Sequence, residues 1–205
     1  MQAVRPASGA TVEREVANIN AYLVPAADIV VDKKSDPPIG CASMVLGNQP
    51  YEGGYLIFDH DGLEELGIPK DAREAITRRI LGSNEVINGE ERFCLWIRDE
   101  NLTLAISFPT VSTQINKVRQ WRLKSDRPAT RSMATRSHQF CEMKSGSRSV
   151  IIVPIRSSEN REYLPVALFD HQTTVNNLAY AIYDGALFNV ALIASRLHLI
   201  WISTV

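Results

Sequence analysis

The feature that most restricts the fold of this chain is its pattern of short apolar segments. Some have the spacing of strands and others that of helices, in no regular order. Residues 92–97 form a brief apolar run typical of a strand covered on both faces. Residues 71–81 instead carry Ala72, Ile76 and Ile80 near helical spacing. No regular strand–helix–strand repeat appears. We therefore predict an α+β fold with a mixed, largely antiparallel sheet, hairpins and several packed helices.

Periodicity and turn residues locate the individual elements. Strands are predicted at residues 20–24, 28–31, 55–58, 92–97, 139–144, 150–154 and 163–169, with another within 173–183. Helices are predicted at 71–81, from Ser112 or Thr113 to Leu123, and at 187–202, and a short one capped by Asp59 or Asp61 ends at 66. Residues 103–108 are ambiguous, and 125–136 indicate a loop or a short helix. A Ser-Gly-Ser turn predicts a hairpin between 139–144 and 150–154. Residues 187–202 are apolar on most sides, which predicts a long buried helix at the end of the fold.

Length and composition favour a single folded domain. The chain has 205 residues, of which 45% are hydrophobic and 22% charged. We expect a flexible tail at residues 1–16 and one domain at 17–205. The chain has no run of 18 apolar residues, so no membrane span is predicted. The N-terminus lacks the apolar region of a secretory signal. Cys41, Cys94 and Cys141 form no CxxC pair, which fits a reducing cytoplasm.

Charge is strongly segregated along the chain. Residues 117–161 contain eleven basic and three acidic residues, whereas residues 1–116 contain ten basic and seventeen acidic ones. Most of the eleven are arginines, whose planar fork suits phosphate. Because phosphate contacts supply most non-specific affinity for nucleic acid, the stretch predicts nucleic-acid binding. A solvated cationic face is the alternative.

Glu142 and Lys144 form an acid–base pair two residues apart within this basic stretch. On a strand both side chains point to the same side. In the major groove a carboxylate accepts from cytosine N4, and a lysine donates to guanine O6 and N7. The pair is therefore a candidate reader of one C·G pair. The alternative is an ordinary surface ion pair.

Catalytic and cofactor-binding motifs are weak in this chain. Asp36-Pro37-Pro38-Ile39 is similar to the Asp/Asn-Pro-Pro-aromatic motif of N6-adenine methyltransferases, but Ile39 cannot stack on a flipped base. We interpret it as a turn. The four histidines are scattered, and neither a phosphate-cradling glycine loop nor a nucleophile elbow is present. We expect no catalytic residues, no metal and no cofactor in this chain itself.

Six ordered motifs carry a resemblance to a known family. They are INAYLV at 19–24, MVLGNQP with a Gly-Gly pair at 44–54, LGSNEVINGE leading into RFCLWI at 81–97, VRxxRxxSxRxxT at 118–130, IVPxxSSExRxYLP at 152–165 and SRLHxxW at 195–201. Taken together they resemble the target recognition domain of MmeI-like enzymes over about residues 17–205. Those are bacterial single-chain proteins that combine an N6-adenine DNA methyltransferase, usually with an N-terminal endonuclease, and one DNA-reading domain.

The resemblance implies a fragment that reads double-stranded DNA within a larger restriction–modification enzyme. Its partners would be DNA and the methyltransferase and endonuclease domains of the same parent chain. S-adenosylmethionine, and Mg²⁺ for an endonuclease, would belong to that parent, an adenine-specific DNA methyltransferase. The expected location is the cytoplasm, in association with the nucleoid.

Site residues carry over position by position. Glu142 and Lys144 match an acid-x-base pair that reads one base pair, although the usual base is arginine, so guanine preference is expected to be softer. Contacts to the DNA backbone are expected from Arg119, Arg122, Lys124, Arg127, Arg131, Ser157, Ser158 and Arg161. Two alternatives stay open at this point: a diverged S-adenosylmethionine-dependent DNA methyltransferase active in itself, and an interaction module of a restriction complex that binds no DNA.

Overall fold

A computed structural model describes residues 2–4, 12–21, 23–30, 32, 36–37, 40–158 and 160–204, and it has the α+β class that the sequence predicts. The strands are β1 Gln2–Val4, β2 Val12–Arg14, β3 Val45–Leu46, β4 Ile57–Phe58, β5 Thr77–Leu81, β6 Phe93–Leu95, β7 Ser149–Pro154, β8 Ala167–Asp170, β9 Thr173–Val175 and β10 Ala179–Tyr183. The helices are α1 His60–Glu65, α2 Lys70–Ile76, α3 Ser83–Asn88, α4 Leu102–Ile106, α5 Pro109–Leu123, α6 Pro128–Ser132, α7 Leu187–Ile193 and α8 Arg196–Thr204.

The strands form two four-stranded sheets and one short ladder of β1 with β2. One sheet has the order β3-β10-β7-β8 and is antiparallel throughout. The other has the order β4-β6-β5-β9, in which β9 runs parallel to β5 with Ile80 opposite Thr174. The arrangement is therefore mixed but largely antiparallel, as predicted.

The larger apolar core lies between the second sheet and helices α1, α2, α4 and α5. Leu56, Ile76, Trp96, Val118 and Phe140 are among its buried members. The rings of Trp96 and Phe140 meet edge to face with centroids 5.7 Å apart, a favoured aromatic geometry. Burial of this apolar area is the main stabilising contribution to this half of the chain.

The segment after β3 ties the two sheets together. Gly47 N donates to Ala179 O at 3.0 Å, and Asn48 N donates to Val175 O at 2.7 Å. A Cβ at Gly47 would lie only 2.0 Å from the backbone oxygen of Asn176, so no larger residue fits this crossing. The Gly-Asn pair is thus a close-approach point between β9 and β10.

Several local predictions are confirmed. The Asp59 carboxylate caps α1 by accepting from Gly62 N at 2.8 Å. The predicted strand at 92–97 contains β6, and the ambiguous residues 103–108 fall largely in α4. Helix α5 ends at Leu123 as predicted but begins at Pro109, because proline suits the first helical turn.

The predicted helix at 71–81 is correct only in its first half. Helix α2 ends at Ile76, and Thr77–Leu81 is strand β5. This segment pairs with β6 on one side and with β9 on the other. Pairing with distant strands therefore outweighs the helical spacing of its apolar residues.

The predicted hairpin around the Ser-Gly-Ser turn is wrong. Residues 139–144 form no ladder with β7 and instead run beside residues 49–50, where Cys141 N donates to Pro50 O at 3.3 Å and Glu142 N to Gln49 O at 3.4 Å. Strand β7 pairs with β8 and β10. The edge that a hairpin partner would occupy is thus filled by strands from later in the chain.

The predicted long buried helix at 187–202 is also wrong. The chain forms two short helices, α7 and α8, because Ser195 starts a new one by accepting from His198 N at 3.1 Å. Many apolar side chains here face solvent, and Leu187 and Leu197 are 69% and 76% exposed.

The N-terminal predictions have a mixed outcome. Within the described part of residues 17–30 no strand forms, and Tyr22 and Val31 lie outside the described residues. Asn20 organises a loop there, because its amide donates to Ala27 O and accepts from Val24 N. Of the predicted tail, the structure describes β1, β2 and residues 15–16, and its flexibility stays a prediction. The predicted turn at Asp36-Pro37-Pro38-Ile39 lies partly outside the described residues.

Candidate nucleic-acid interface

The structure brings Glu142 and Lys144 into direct contact. Lys144 Nζ lies 3.1 Å from Glu142 Oε2, and the two side chains are 36% and 40% exposed. Both residues belong to an extended segment that crosses the surface without joining a sheet. The acid and the base are therefore presented side by side at the surface, as predicted, but on a different backbone scaffold.

Asn48 holds this segment in place. Its buried side-chain amide accepts from Lys144 N at 2.7 Å and donates to Lys144 O at 2.9 Å. The same amide donates to Thr174 Oγ1 at 3.0 Å and to Val175 O at 3.2 Å on β9. Asn48 thus connects the acid–base segment to the sheet. In the sequence Asn48 stands out only as part of the MVLGNQP motif, and its role depends on contacts with residues about a hundred positions away.

Neighbouring backbone groups fix the two charged side chains. Gln49 N donates to Glu142 Oε2 at 3.2 Å, and Lys144 Nζ donates to Leu46 O at 2.8 Å. A lysine ammonium has three donors. One donates to Leu46 O and the ammonium is ion-paired with Glu142, so at least one donor has no partner among the described residues.

Tyr183 lies beneath the pair. Burial and the nearby Glu142 carboxylate raise the pKa of its phenol, a hydrogen bond from Asn48 Nδ2 lowers it, and the resulting pKa is about 12. Tyr183 therefore stays neutral at physiological pH.

Asp184 fixes the far end of the segment. Its carboxylate accepts from the backbone N–H groups of Ser147, Arg148 and Ser149 at 2.9, 2.7 and 3.1 Å, and from Ser147 Oγ at 3.0 Å. These N–H donors hold the pKa of Asp184 well below its usual range. The segment from Glu142 to Ser149 is thus clamped at both ends.

The cationic residues predicted to contact the DNA backbone separate into two groups. Arg119, Lys124, Arg127 and Arg131 are exposed on α5, on α6 and in the turn between them. Arg131 Nη1 donates to Ser125 O at 2.7 Å, which steadies that turn. Within the part of the chain that the structure describes, none of these four side chains forms an ion pair.

Arg122 does not belong to this surface, and its prediction as a backbone contact is wrong. The residue is fully buried. Its guanidinium donates to the carbonyl oxygens of Tyr51, Met133, Arg136 and Gln139 at 2.7–2.9 Å. Burial lowers its pKa, and the nearby Arg136 charge lowers it further. Arg122 therefore holds the turn after α6 against residues 50–51.

The remaining predicted contacts lie in the loop between β7 and β8. Ser157, Ser158 and Arg161 are exposed, and Ser158 orders the loop by accepting from Asn160 N at 3.2 Å and Arg161 N at 3.1 Å. Among the described residues, no hydrogen bond or ion pair connects these three to Glu142 or Lys144.

A methyl-donor loop would follow a strand, and Gly82 forms the turn between strand β5 and helix α3. The Glu85 carboxylate accepts from Gly82 N at 2.8 Å, and a Cβ at Gly82 would lie 2.4 Å from Asn176 Oδ1. The Glu85 carboxylate therefore occupies the Gly82 N–H at the start of α3, and the Asn176 side chain fills the space beside Gly82. Within the described ranges, no group of three His, Cys, Asp or Glu side chains is suited to a metal ion. Nor does any described helix have the length and hydropathy needed to cross a membrane.

Comparison with known proteins confirms the predicted resemblance. The chain is 30% identical over 190 residues to DNA methyltransferase A of Bacillus subtilis (strain 168), which covers 93% of this chain and 22% of the relative. The fold matches the Type IIL restriction–modification enzyme MmeI, solved in complex with DNA, with a TM-score of 0.76 and 28% identity, covering 96% of this chain and 26% of that one. The chain thus spans about a quarter of the length of these relatives. The family model for the MmeI target recognition domain matches residues 25–205, and the chain therefore belongs to that family.

Proposed function

We propose that this chain reads double-stranded DNA sequence-specifically for a bacterial restriction–modification adenine methyltransferase. The observation that carries the proposal is the Glu142–Lys144 pair, presented on a segment that Asn48 and Asp184 immobilise from below. Discrimination between bases needs donors and acceptors held within a fraction of an ångström. A clamped acid–base pair on the surface of a target recognition domain meets that requirement.

The hydrogen-bonding positions that the pair does not use within the protein define which base atoms it can contact. Both side-chain contacts of Glu142 with described residues use Oε2, which leaves Oε1 open to accept from cytosine N4. The unpartnered donor of Lys144 is suited to guanine O6 or N7. A lysine makes one such bond where an arginine makes two, so the guanine preference is softer.

Phosphate contacts then supply position and most of the affinity without sequence information. We assign them to the exposed Arg119, Lys124, Arg127 and Arg131, and separately to the loop residues Ser157, Ser158 and Arg161. Arg122 has no part in this role, because its donors are saturated inside the protein.

Catalysis is proposed to reside in other domains of the parent protein. These would bind S-adenosylmethionine, with Mg²⁺ serving an endonuclease, and methylate an adenine within the site read here. The cytoplasm, at the nucleoid, is the location that this role requires.

The test is a selection on a duplex library with a randomised core, using the 205-residue chain at low salt. We expect enrichment of a defined site, with affinity that falls steeply as salt rises. Binding of S-adenosylmethionine by the same chain in calorimetry would instead favour a methyltransferase active in itself. Absence of DNA binding at low salt would favour an interaction module.

A further inference from the structure

A groove of about 370 Å³ runs beside helix α5, and we call it the aromatic groove. Two aromatic and two lysine side chains form its walls: Tyr55, Trp121, Lys117 and Lys124. The other residues that line it are uncharged, and α5 contains no acidic residue in its fifteen positions. The groove is therefore positively charged. Of the four side chains, only Lys124 belongs to the predicted backbone contacts.

The indole of Trp121 is exposed and yet fixed in position. Its side chain belongs to a residue that is 37% exposed, and the ring lies against the turn at Gly53. A Cβ at Gly53 would lie 2.7–2.9 Å from three indole carbons. Tyr51, Gly53 and Gly54 all have positive φ in this turn, so the backbone there is shaped to admit the ring. A ring held in this way loses little conformational entropy when a ligand packs on it.

The two lysines flank the indole along one side of the helix. Lys117, Trp121 and Lys124 follow the i, i+4, i+7 spacing of one helix face. The lysines are thus roughly 10 Å apart along the helix axis. Lys117 Nζ lies 5.8 Å from the centre of the Tyr55 ring, and Tyr55 packs against the larger core. Apart from that ring contact, neither ammonium has an ion-pair or hydrogen-bond partner among the described residues.

This arrangement suits a ligand in which anionic and apolar groups alternate. A lysine ammonium is a point charge that can donate to a phosphate oxygen, whereas the indole between the two lysines offers an apolar face. The backbone of a DNA strand has the matching order of phosphate, deoxyribose and phosphate. In a duplex the bases are stacked inside, so the sugar and the phosphates are the parts of a strand that this groove can meet.

The aromatic groove lies close to the acid–base pair. Gln49 N donates to Glu142 Oε2 at 3.2 Å, and the backbone of Gly53 lies against Trp121. Gly53 follows Gln49 by four residues, so the two backbone positions are at most about 14 Å apart. One turn of duplex DNA is about 34 Å long. A duplex read by the pair therefore has backbone within reach of the groove.

We infer that the aromatic groove binds the sugar–phosphate backbone of DNA. A deoxyribose packs on the Trp121 indole, and the phosphates on its two sides accept from Lys117 and Lys124. This contact fixes the lateral position of the duplex relative to Glu142 and Lys144. The inference rests on the proposed function in one respect, namely that the strand belongs to the duplex that the acid–base pair reads.

The experiment follows the indole N–H signal of Trp121 by ¹H–¹⁵N NMR in the 205-residue chain, assigned with Trp121→Phe. The probes are the selected duplex, a scrambled duplex and single-stranded oligothymidylate, each at low salt. We expect a saturable shift of the Trp121 signal with both duplexes, because the backbone carries no sequence information. The indole signal of Trp96, which is only 3% exposed, is the internal control and should move less.

Two variants separate the charged from the apolar contact. Lys117→Gln should reduce the slope of log K against log salt by about 0.9, the value for one phosphate. Trp121→Ala should weaken binding to both duplexes about fivefold, as expected for roughly 40 Å² of apolar surface, and leave the slope unchanged. Lys70→Gln, an exposed lysine on α2, should change neither quantity.

Fold controls accompany the variants. The amide spectrum of each variant verifies that it is folded. If Trp121→Ala unfolds, Trp121→Phe takes its place, and because it keeps an aromatic ring it should weaken binding by about twofold or less.

Each outcome separates the groove from the proposed function. If a duplex binds and the Trp121 signal stays in place, the groove assignment is overturned and the proposed function stands. If both duplexes shift Trp121 but no site is enriched in the selection, sequence-specific reading fails and the groove stands. Tighter binding of oligothymidylate than of duplex at Trp121 overturns the backbone assignment in favour of a stacked base. A chain that binds no duplex at low salt overturns both.

Discussion

The side-chain amide of Asn48 forms a reciprocal pair of hydrogen bonds with the backbone of Lys144, accepting from its N–H at 2.7 Å and donating to its carbonyl at 2.9 Å. This is the geometry of a strand pair made by a side chain. It orients an irregular segment as firmly as a sheet would, while leaving that segment at the surface.

Replacing Asn48 should therefore loosen the site and destabilise the fold. Asn48→Ala leaves the partly buried N–H of Lys144 without its acceptor, and we expect the free energy of unfolding to fall by about 1–3 kcal/mol. Urea denaturation measures the change. Asn116→Ala, on the exposed side of α5, is the matched control and should stay within about 0.5 kcal/mol. Equal stability of the two variants would contradict the clamping role.

Exchanging the acid and the base should exchange the base preference. In Glu142→Lys with Lys144→Glu, donor and acceptor trade places, so the favoured pair should turn from C·G to G·C or the reverse. The discrimination concerned is about 1–3 kcal/mol. Selection from a randomised duplex library measures it.

The control is a second charge exchange that also conserves the net charge of the chain but lies outside the acid–base pair. Glu65→Lys with Lys70→Glu trades two exposed charges around α1 and α2 and should leave the selected site unaltered. If the exchanged variant selects the same base pair as the wild type at every position, Glu142 and Lys144 do not read a base.

Arg127→Gln should weaken binding to all duplexes alike. An exposed arginine that meets one phosphate contributes about 0.9 to the salt slope and no sequence preference. Anisotropy titrations of the selected duplex and a scrambled duplex, each over a salt series, measure both quantities. Lys70→Gln removes a charge from the acidic part of the chain and is the control. A loss confined to the selected duplex would point to base contact instead.

Arg122→Ala is expected to act on stability and not on DNA. Removing the guanidinium takes its donors away from four carbonyl oxygens, of which Arg136 O keeps a hydrogen bond from Gln139 N, and we expect a loss of about 3 kcal/mol or more. Arg119→Ala, three residues earlier on α5 and exposed, should change unfolding by no more than about 0.5 kcal/mol. Comparable denaturation midpoints for the two variants would refute the buried role of Arg122.

Asp184 should make stability depend on pH in the acid range. Its pKa is held below its usual range in the folded state, so its contribution is present above the ordinary aspartate pKa of about 3.9. It is lost progressively as pH falls below that value. We expect the difference in urea midpoint between the wild type and Asp184→Asn to be constant near neutrality and to shrink in acid.

A second carboxylate gives the baseline for that measurement. Asp126→Asn removes one exposed carboxylate of the loop after α5. The pH profile of Asp184→Asn is read relative to that of Asp126→Asn. A difference that grows as pH falls would reverse the expected sign.

Features that depend on neighbouring residues followed from the sequence. The cap of α1 by Asp59, the extent of β6 within an apolar run and the end of α5 at Leu123 all rest on local geometry. The ordered motifs identified the family, because each keeps its residues close together in the chain. The adjacency of Glu142 and Lys144 also needed only their spacing.

Tertiary structure decided the rest, because distant partners compete with local preference. Residues 77–81 became a strand when β9, almost a hundred residues later, supplied a parallel partner. Arg122 looked like its exposed neighbours in the sequence, yet four carbonyl groups from two other segments satisfy its donors in the interior. The acid–base segment is held by Asn48 from 96 residues away. Sequence alone identified the charged groups that are candidates for DNA contact, and long-range hydrogen bonding determined which of them reach the surface.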